Sequence, residues 1–208
     1  MPCPPSWEEQ ELMRLERERA DAERVIARSP ASLAPALALV TAILERDPEH
    51  APAVADLEPC MGYAHAVEER GLPPYEGPMP ERQGWPTPED VELEEAYVRS
   101  RADVAARLEL CLCVLGTFVA LYARDAAPAP DLAEDIARER ARHLAHREEE
   151  RAERVAELER ERTRARRALE VPRPHAGARA YLESVESALA RVRALDAETL
   201  CTDRCALA

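Results

Sequence analysis

Glu139, His143, His146 and Glu150 stand at intervals of four, three and four, spacings that bring side chains together on one face of a helix. Two imidazoles and two carboxylates are donors that zinc or iron accepts. Metal sites in helical bundles draw matching ligands from facing helices and use an E-x-x-H spacing, and the sequence offers no such spacing. In a chain of which 33% is charged, the four residues are expected to form a solvated charged face. No metal and no other cofactor is predicted.

Nucleophilic chemistry has little to build on. The six cysteines fall at 3, 60, 111, 113, 201 and 205 without a C-x-x-C pair, and none has a histidine placed beside it by sequence. Cys111 and Cys113 sit in an apolar run, where a thiol is usually inert packing. All 28 basic residues other than histidine are arginine, so Schiff-base, Ser-Lys and P-loop chemistry are excluded. The sharpest short motif is Cys205-Ala206-Leu207-Ala208, which fits the C-a-a-X prenylation pattern. Cys201, four positions upstream, could carry a second acyl chain. The polybasic neighbourhood usual for such a signal is missing: Asp196, Glu198 and Asp203 surround it. Membrane association is therefore expected only if the chain is lipidated.

The net charge of −13 argues against nucleic acid as a partner, because backbone binding requires clustered positive charge. Acid is not spread evenly. Residues 131–170 hold 12 acidic and 11 basic side chains, leaving nearly all the excess elsewhere. The first residues, Met1-Pro2-Cys3-Pro4-Pro5-Ser6, lead into a charged helix with no apolar core of a signal peptide, so a cytoplasmic, reducing location is expected, with the cysteines as thiols.

The elements that must position these residues read as helices. Aromatics are only 4% of the chain, whereas Pro is frequent at 18 and falls between apolar-periodic segments, the punctuation of an all-α chain. Ser6 and Glu9 form a capping box for a helix expected to end near Arg28, before Ser29-Pro30. Its apolar seam of Leu12, Leu15, Ala22 and Ile26 is narrow. A second helix, 33–46, carries a wide face of Leu33, Leu37, Val40, Ile43 and Leu44. Within it, Ala36, Val40, Ile43 and the following Pro48 resemble the second helix and closing proline of a tetratricopeptide repeat. That resemblance covers half of one repeat, no second copy appears at a 34-residue period, and the family is not assigned. A third helix begins near Pro52, meets Pro59 and ends at Gly71.

Residues 71–88 carry six prolines, three glycines, Tyr75 and Trp85. Either Trp85 pins this segment to the helical body, or the segment docks on a proline-reading partner. Thr87, Pro88 and Asp90 then start a helix to about Arg124, whose fourteen uncharged residues from 110 to 123 are read as a buried core helix, being short for a membrane span. Asp131 and Glu134 form a capping box for a charged helix of about 40 residues, about 60 Å long. The breaker at 171–177 turns it back into a helix from 178 to 195 with the stripe Tyr181, Leu182, Val185, Ala188, Leu189, Val192 and Leu195.

The expected fold is all-α: a helical bundle with a long charged helix forming an antiparallel coiled-coil hairpin. Its organisation is N-terminal helices (1–70), a proline-rich loop (71–88), and a central buried helix plus hairpin (89–208), read as one structural domain overall. Leu12, Leu15, Val155 and Leu158 have no obvious partners in the chain, so they are expected, with Trp85, to meet a protein partner or a second copy. The expected function is a non-catalytic scaffold or adaptor. The alternatives are a peripheral membrane protein prenylated at Cys205 and a helical-bundle metalloenzyme.

Overall fold

The computed structural model describes residues 5–49, 54–80, 85–125, 129–171 and 177–207. Among them are six helices and no strand: α1 (Trp7–Arg46), α2 (Leu57–Arg70), α3 (Pro88–Asp125), α4 (Ala133–Leu169), α5 (Ala178–Arg193) and α6 (Ala197–Thr202). The protein is all-α. The chain divides into two compact units, Met1–Leu115 and Gly116–Ala208, with the boundary within α3.

In the first unit, the Ser6 hydroxyl accepts from the Glu9 amide and Glu9 Oε2 accepts from the Ser6 amide at 2.8 Å, the reciprocal box read from the sequence. The helix does not stop at Ser29-Pro30: α1 is continuous for 40 residues with Pro30 and Pro35 inside it. A proline within a helix costs about 3 kcal/mol or more. Each large aliphatic side chain buried contributes about 1.5–3 kcal/mol, and Ile26, Leu33, Leu37, Val40 and Ile43 are all buried on the two sides of Pro30. Packing outweighs the break. Ser29 also turns inward, its hydroxyl donating to the Val25 carbonyl at 2.7 Å.

Helix α2 starts at Leu57, not near Pro52; residues 50–53 lie outside those described. Asp56 precedes it in a left-handed conformation (φ 66°). Pro59 falls in the first turn, where no amide hydrogen is needed. Gly71 ends α2 as predicted, at φ 78°, its amide donating to Val67 O.

Leu12 and Leu15 are buried against Val91, Tyr97 and Val98, with Tyr75 packed on the same cluster. The narrow α1 seam is thus covered by the chain itself. Arg19, which interrupts that seam, lies 4.5 Å over the Tyr97 ring and pairs with buried Glu94 at 3.3 Å. Glu23 accepts from Tyr97 Oη at 2.9 Å and from Arg101 Nε at 2.8 Å. The Arg101 bond holds the Glu23 carboxyl below its usual range.

Thr87 caps α3 as predicted, its hydroxyl accepting from the Asp90 amide at 3.2 Å, and Asp90 Oδ2 accepts in return from the Thr87 amide at 2.8 Å. Leu108, Val114 and Leu115 in the first unit, and Phe118, Val119 and Ala120 in the second, are almost wholly buried. The run is not uniformly inward, since Leu110 is 46% exposed and Leu112 half-buried. Helices α1 and α3 each contain a stretch long and apolar enough to cross a membrane by length and composition, 44% and 61% buried within the protein respectively.

In the second unit, α4 begins with Leu132 at its cap position and no side-chain cap. The cap position thus falls one residue later than the Asp131 read from the sequence, and Glu134 accepts from Arg138 Nη2 at 2.8 Å. Helix α5 runs antiparallel to α4. Arg166 pairs with Glu186 at 2.7 Å, Glu159 with Arg193 at 2.5 Å, and Arg151 Nη1 donates to Leu195 O at 2.9 Å, so numbers fall along α4 as they rise along α5. Leu158 is buried with Val185, Leu189 and Val192, and Val155, Ala188 and Leu207 pack around them. The α5 stripe is narrower than read, because Tyr181 is 50% exposed. The reversal at 172–176 lies outside the described residues.

Candidate functional site

The α4 residues singled out from the sequence separate into different roles. Glu139 is buried and engaged by Arg142 at 2.6 Å. Burial raises its carboxyl above the usual range, against the pull of Arg142. Glu150 is taken by Arg147 at 2.7 Å, with His146 Nε2 3.6 Å away. His143 points elsewhere, into the interior. Among the described residues no group of three or more His, Cys, Asp or Glu converges on a position for a metal. The four candidate ligands share a helix, but arginines neutralise both carboxylates where they stand.

The polar cluster that the fold does build is a clasp on the C-terminal segment. Arg140, His143 and Arg147 repeat at three and four along α4 and so face one way. They meet α6, a short helix with no apolar stripe long enough to read from sequence. Asp196 caps α6 by accepting from the Thr199 amide at 2.7 Å, and Leu200 and Cys201 are buried beneath it. Arg140 pairs with Glu198. His143 Nε2 lies 3.1 Å from Cys201 O and 3.5 Å from Thr117 Oγ1.

Arg147 does the most. A buried guanidinium is costly unless its hydrogens find acceptors, and the last carbonyls of a helix lack intrahelical donors. Arg147 resolves both needs: Nε donates to Leu200 O at 3.1 Å, and Nη2 donates to Asp203 O at 3.1 Å and Arg204 O at 3.3 Å. Nη1 donates to Glu150, which supplies the countercharge.

His143 fits because position 116 is glycine. A Cβ there would lie 2.4 Å from His143 Nδ1 and 2.5 Å from Cγ, closer than nonbonded atoms approach. Burial, with a smaller contribution from neighbouring Arg147, lowers the imidazole to about 4, so His143 is neutral at physiological pH. With Nε2 protonated it donates to Cys201 O.

This arrangement assigns the C-terminal cysteines. Cys201 is 1% exposed, with its thiol pushed up by burial, and packs beneath the clasp. Cys205 is exposed, its amide donating to Asp203 Oδ1 at 2.9 Å, while Leu207 packs on the α4–α5 cluster. Of the residues expected to face partners, Leu12, Leu15 and Leu158 are buried and Val155 is half-buried, all with neighbours in the same chain. They therefore supply no argument for self-association. Trp85 alone of that set is open, at 85% exposure; Tyr75, stacked edge-on against Tyr97 at 4.9 Å, anchors the loop in its place.

The clasp was missed in the sequence because Arg140 and Arg147 read as members of a uniformly charged helix. A signal was present: Ile136, Glu139, His143 and Arg147 continue one stripe at three- and four-residue steps. Comparison with family models, curated proteins and solved structures finds no match for this chain.

Proposed function

We propose that this is a non-catalytic helical adaptor of the cytoplasm, and that its contact surface is the proline-rich segment around Met79 and Trp85. The observation that carries this reading is the 85% exposure of Trp85. Indole is among the costliest side chains to leave in water and among the most enriched at protein contacts. Met79, 54% exposed in the same segment, adds an adaptable apolar neighbour. Prolines at 78, 80, 86 and 88 limit the freedom this segment would lose on binding. The acidic surface favours a partner with a basic face.

The test is affinity recovery from the native source with the wild type and with Trp85→Ala/Met79→Ala. The expected result is a partner retained by the wild type and lost from the variant, with both proteins equally helical. Identical recoveries, or a strict monomer by light scattering that retains nothing, would overturn the reading.

A further inference from the structure

A second chemistry-bearing cluster lies in the first unit, where α2 faces α3. Cys60 and Cys111, each 3% exposed, hydrogen-bond to each other. Both line a cavity of about 250 Å³ whose polar wall includes Tyr63 and Arg107 and whose apolar wall includes Pro59 and Leu110. The Tyr63 hydroxyl is buried and has no hydrogen-bond partner among the described residues. Leaving a buried hydroxyl unpaired costs about 1–3 kcal/mol, so a ligand offering an acceptor is favoured there.

We propose that Cys60, Cys111 and Tyr63 form a hydroperoxide-reactive dithiol site, in which a peroxide entering the cavity oxidises the two thiols to a Cys60–Cys111 disulfide tying α2 to α3.

The roles of the two sulfurs follow from their surroundings. Burial and the bond with Cys60 push the Cys111 thiol up to about 12. Cys111 therefore keeps its proton and donates to Cys60, which is the sulfur that becomes thiolate, its proton passing to solvent. The thiolate attacks one peroxide oxygen: the S–O bond forms and the O–O bond breaks. The departing oxygen takes the Tyr63 proton and leaves as alcohol, or as water from hydrogen peroxide, and Tyr63 is reprotonated from solvent. Cys60 sulfur has lost two electrons and the peroxide has gained them. Cys111 sulfur then attacks Cys60 sulfur; S–S forms, S–O breaks, and hydroxide leaves with the Cys111 proton as water. The balance is two thiols and one hydroperoxide giving one disulfide, one alcohol and one water. The Arg107 guanidinium lines the same cavity and draws toward thiolate, against the larger opposing effect of burial and with the Asp56 carboxylate on the same wall.

The experiment treats the full chain with equimolar hydrogen peroxide or cumene hydroperoxide, blocks remaining thiols in denaturant, and maps peptides by mass. The expected product is a peptide pair joined through residues 60 and 111, two mass units lighter than the dithiol and reversed by dithiothreitol. In Cys111→Ser, dimedone should trap a sulfenic acid on Cys60. Tyr63→Phe should form the same disulfide at least about tenfold more slowly, with an unchanged circular dichroism spectrum. Oxidation confined to Cys205 and the other thiols, with 60 and 111 still reduced, would overturn the proposal. So would dimedone capture on Cys111 in Cys60→Ser with none on Cys60 in Cys111→Ser. An unchanged rate in Tyr63→Phe would remove Tyr63 from the site.

Discussion

Replacing Gly116 with alanine tests the seat of His143, and the structure sets both the sign and the size of the effect. The new Cβ would lie 2.4 Å from Nδ1, 2.5 Å from Cγ and 3.0 Å from Cβ of His143. The ring cannot swing into solvent freely, being 4% exposed and held 3.1 Å from Cys201 O. Overpacking costs about 1–3 kcal/mol, and stranding the buried Cys201 carbonyl a further 1–3 kcal/mol, roughly. Alanine returns about 1 kcal/mol through helix propensity. The balance is a net loss of about 1–5 kcal/mol. Gly62 in α2 is the control, since a Cβ there meets nothing within 4 Å, and Gly62→Ala should gain up to about 1 kcal/mol. Urea unfolding followed by circular dichroism should move in opposite directions for the two variants. Hydrogen exchange of the α6 amides should accelerate in Gly116→Ala alone. Should Gly116→Ala stabilise as much as Gly62→Ala, with α6 exchange unchanged, the clasp is misassigned.

Further outcomes follow from the same structure. His143 falls from 6.5 when unfolded to about 4 when folded, so on acidification the unfolded chain binds the proton first. Stability from this group is lost as pH drops from about 6.5 to 4, by up to about 3 kcal/mol. Glu139, raised by burial, acts with the opposite sign and offsets part of it. His143→Gln should flatten the pH dependence of the urea midpoint in that window, and an equally steep profile would refute the assignment. Phe118, 1% exposed, should cost about 3–5 kcal/mol on truncation to alanine, whereas half-buried Leu112 should cost less; thermal melts of the two variants check the order. Cysteines at 159 and 193 should crosslink through a short reagent because Glu159 and Arg193 are 2.5 Å apart. A pair at 132 and 193 should not, position 132 being about 40 Å further along α4, and mass mapping of both products would expose a wrong register.

Signals within about four residues of each other were legible in the chain. Ser6 with Glu9, Thr87 with Asp90, and Gly71 after α2 form caps as read, because a cap is completed by its own neighbours. The antiparallel α4–α5 pairing followed from two helical patterns and a short breaker. What the sequence could not decide was which faces meet. Pro30 reads as a stop because its local cost is visible and the burial of Ile26, Leu33 and Leu37 that outweighs it is not. Leu12 and Leu15 look orphaned until Val91, Tyr97 and Val98, some 80 positions away, arrive against them. Trp85 reads from the sequence as the anchor of its loop, and only the position of Tyr97 makes Tyr75 the residue that packs. The α4 polar residues carry the same lesson. Spacing placed His143 and Arg147 on one face, but only the approach of Gly116 and α6 made that face an interior, where each buried polar atom must find a partner and the carbonyls of α6 supply them.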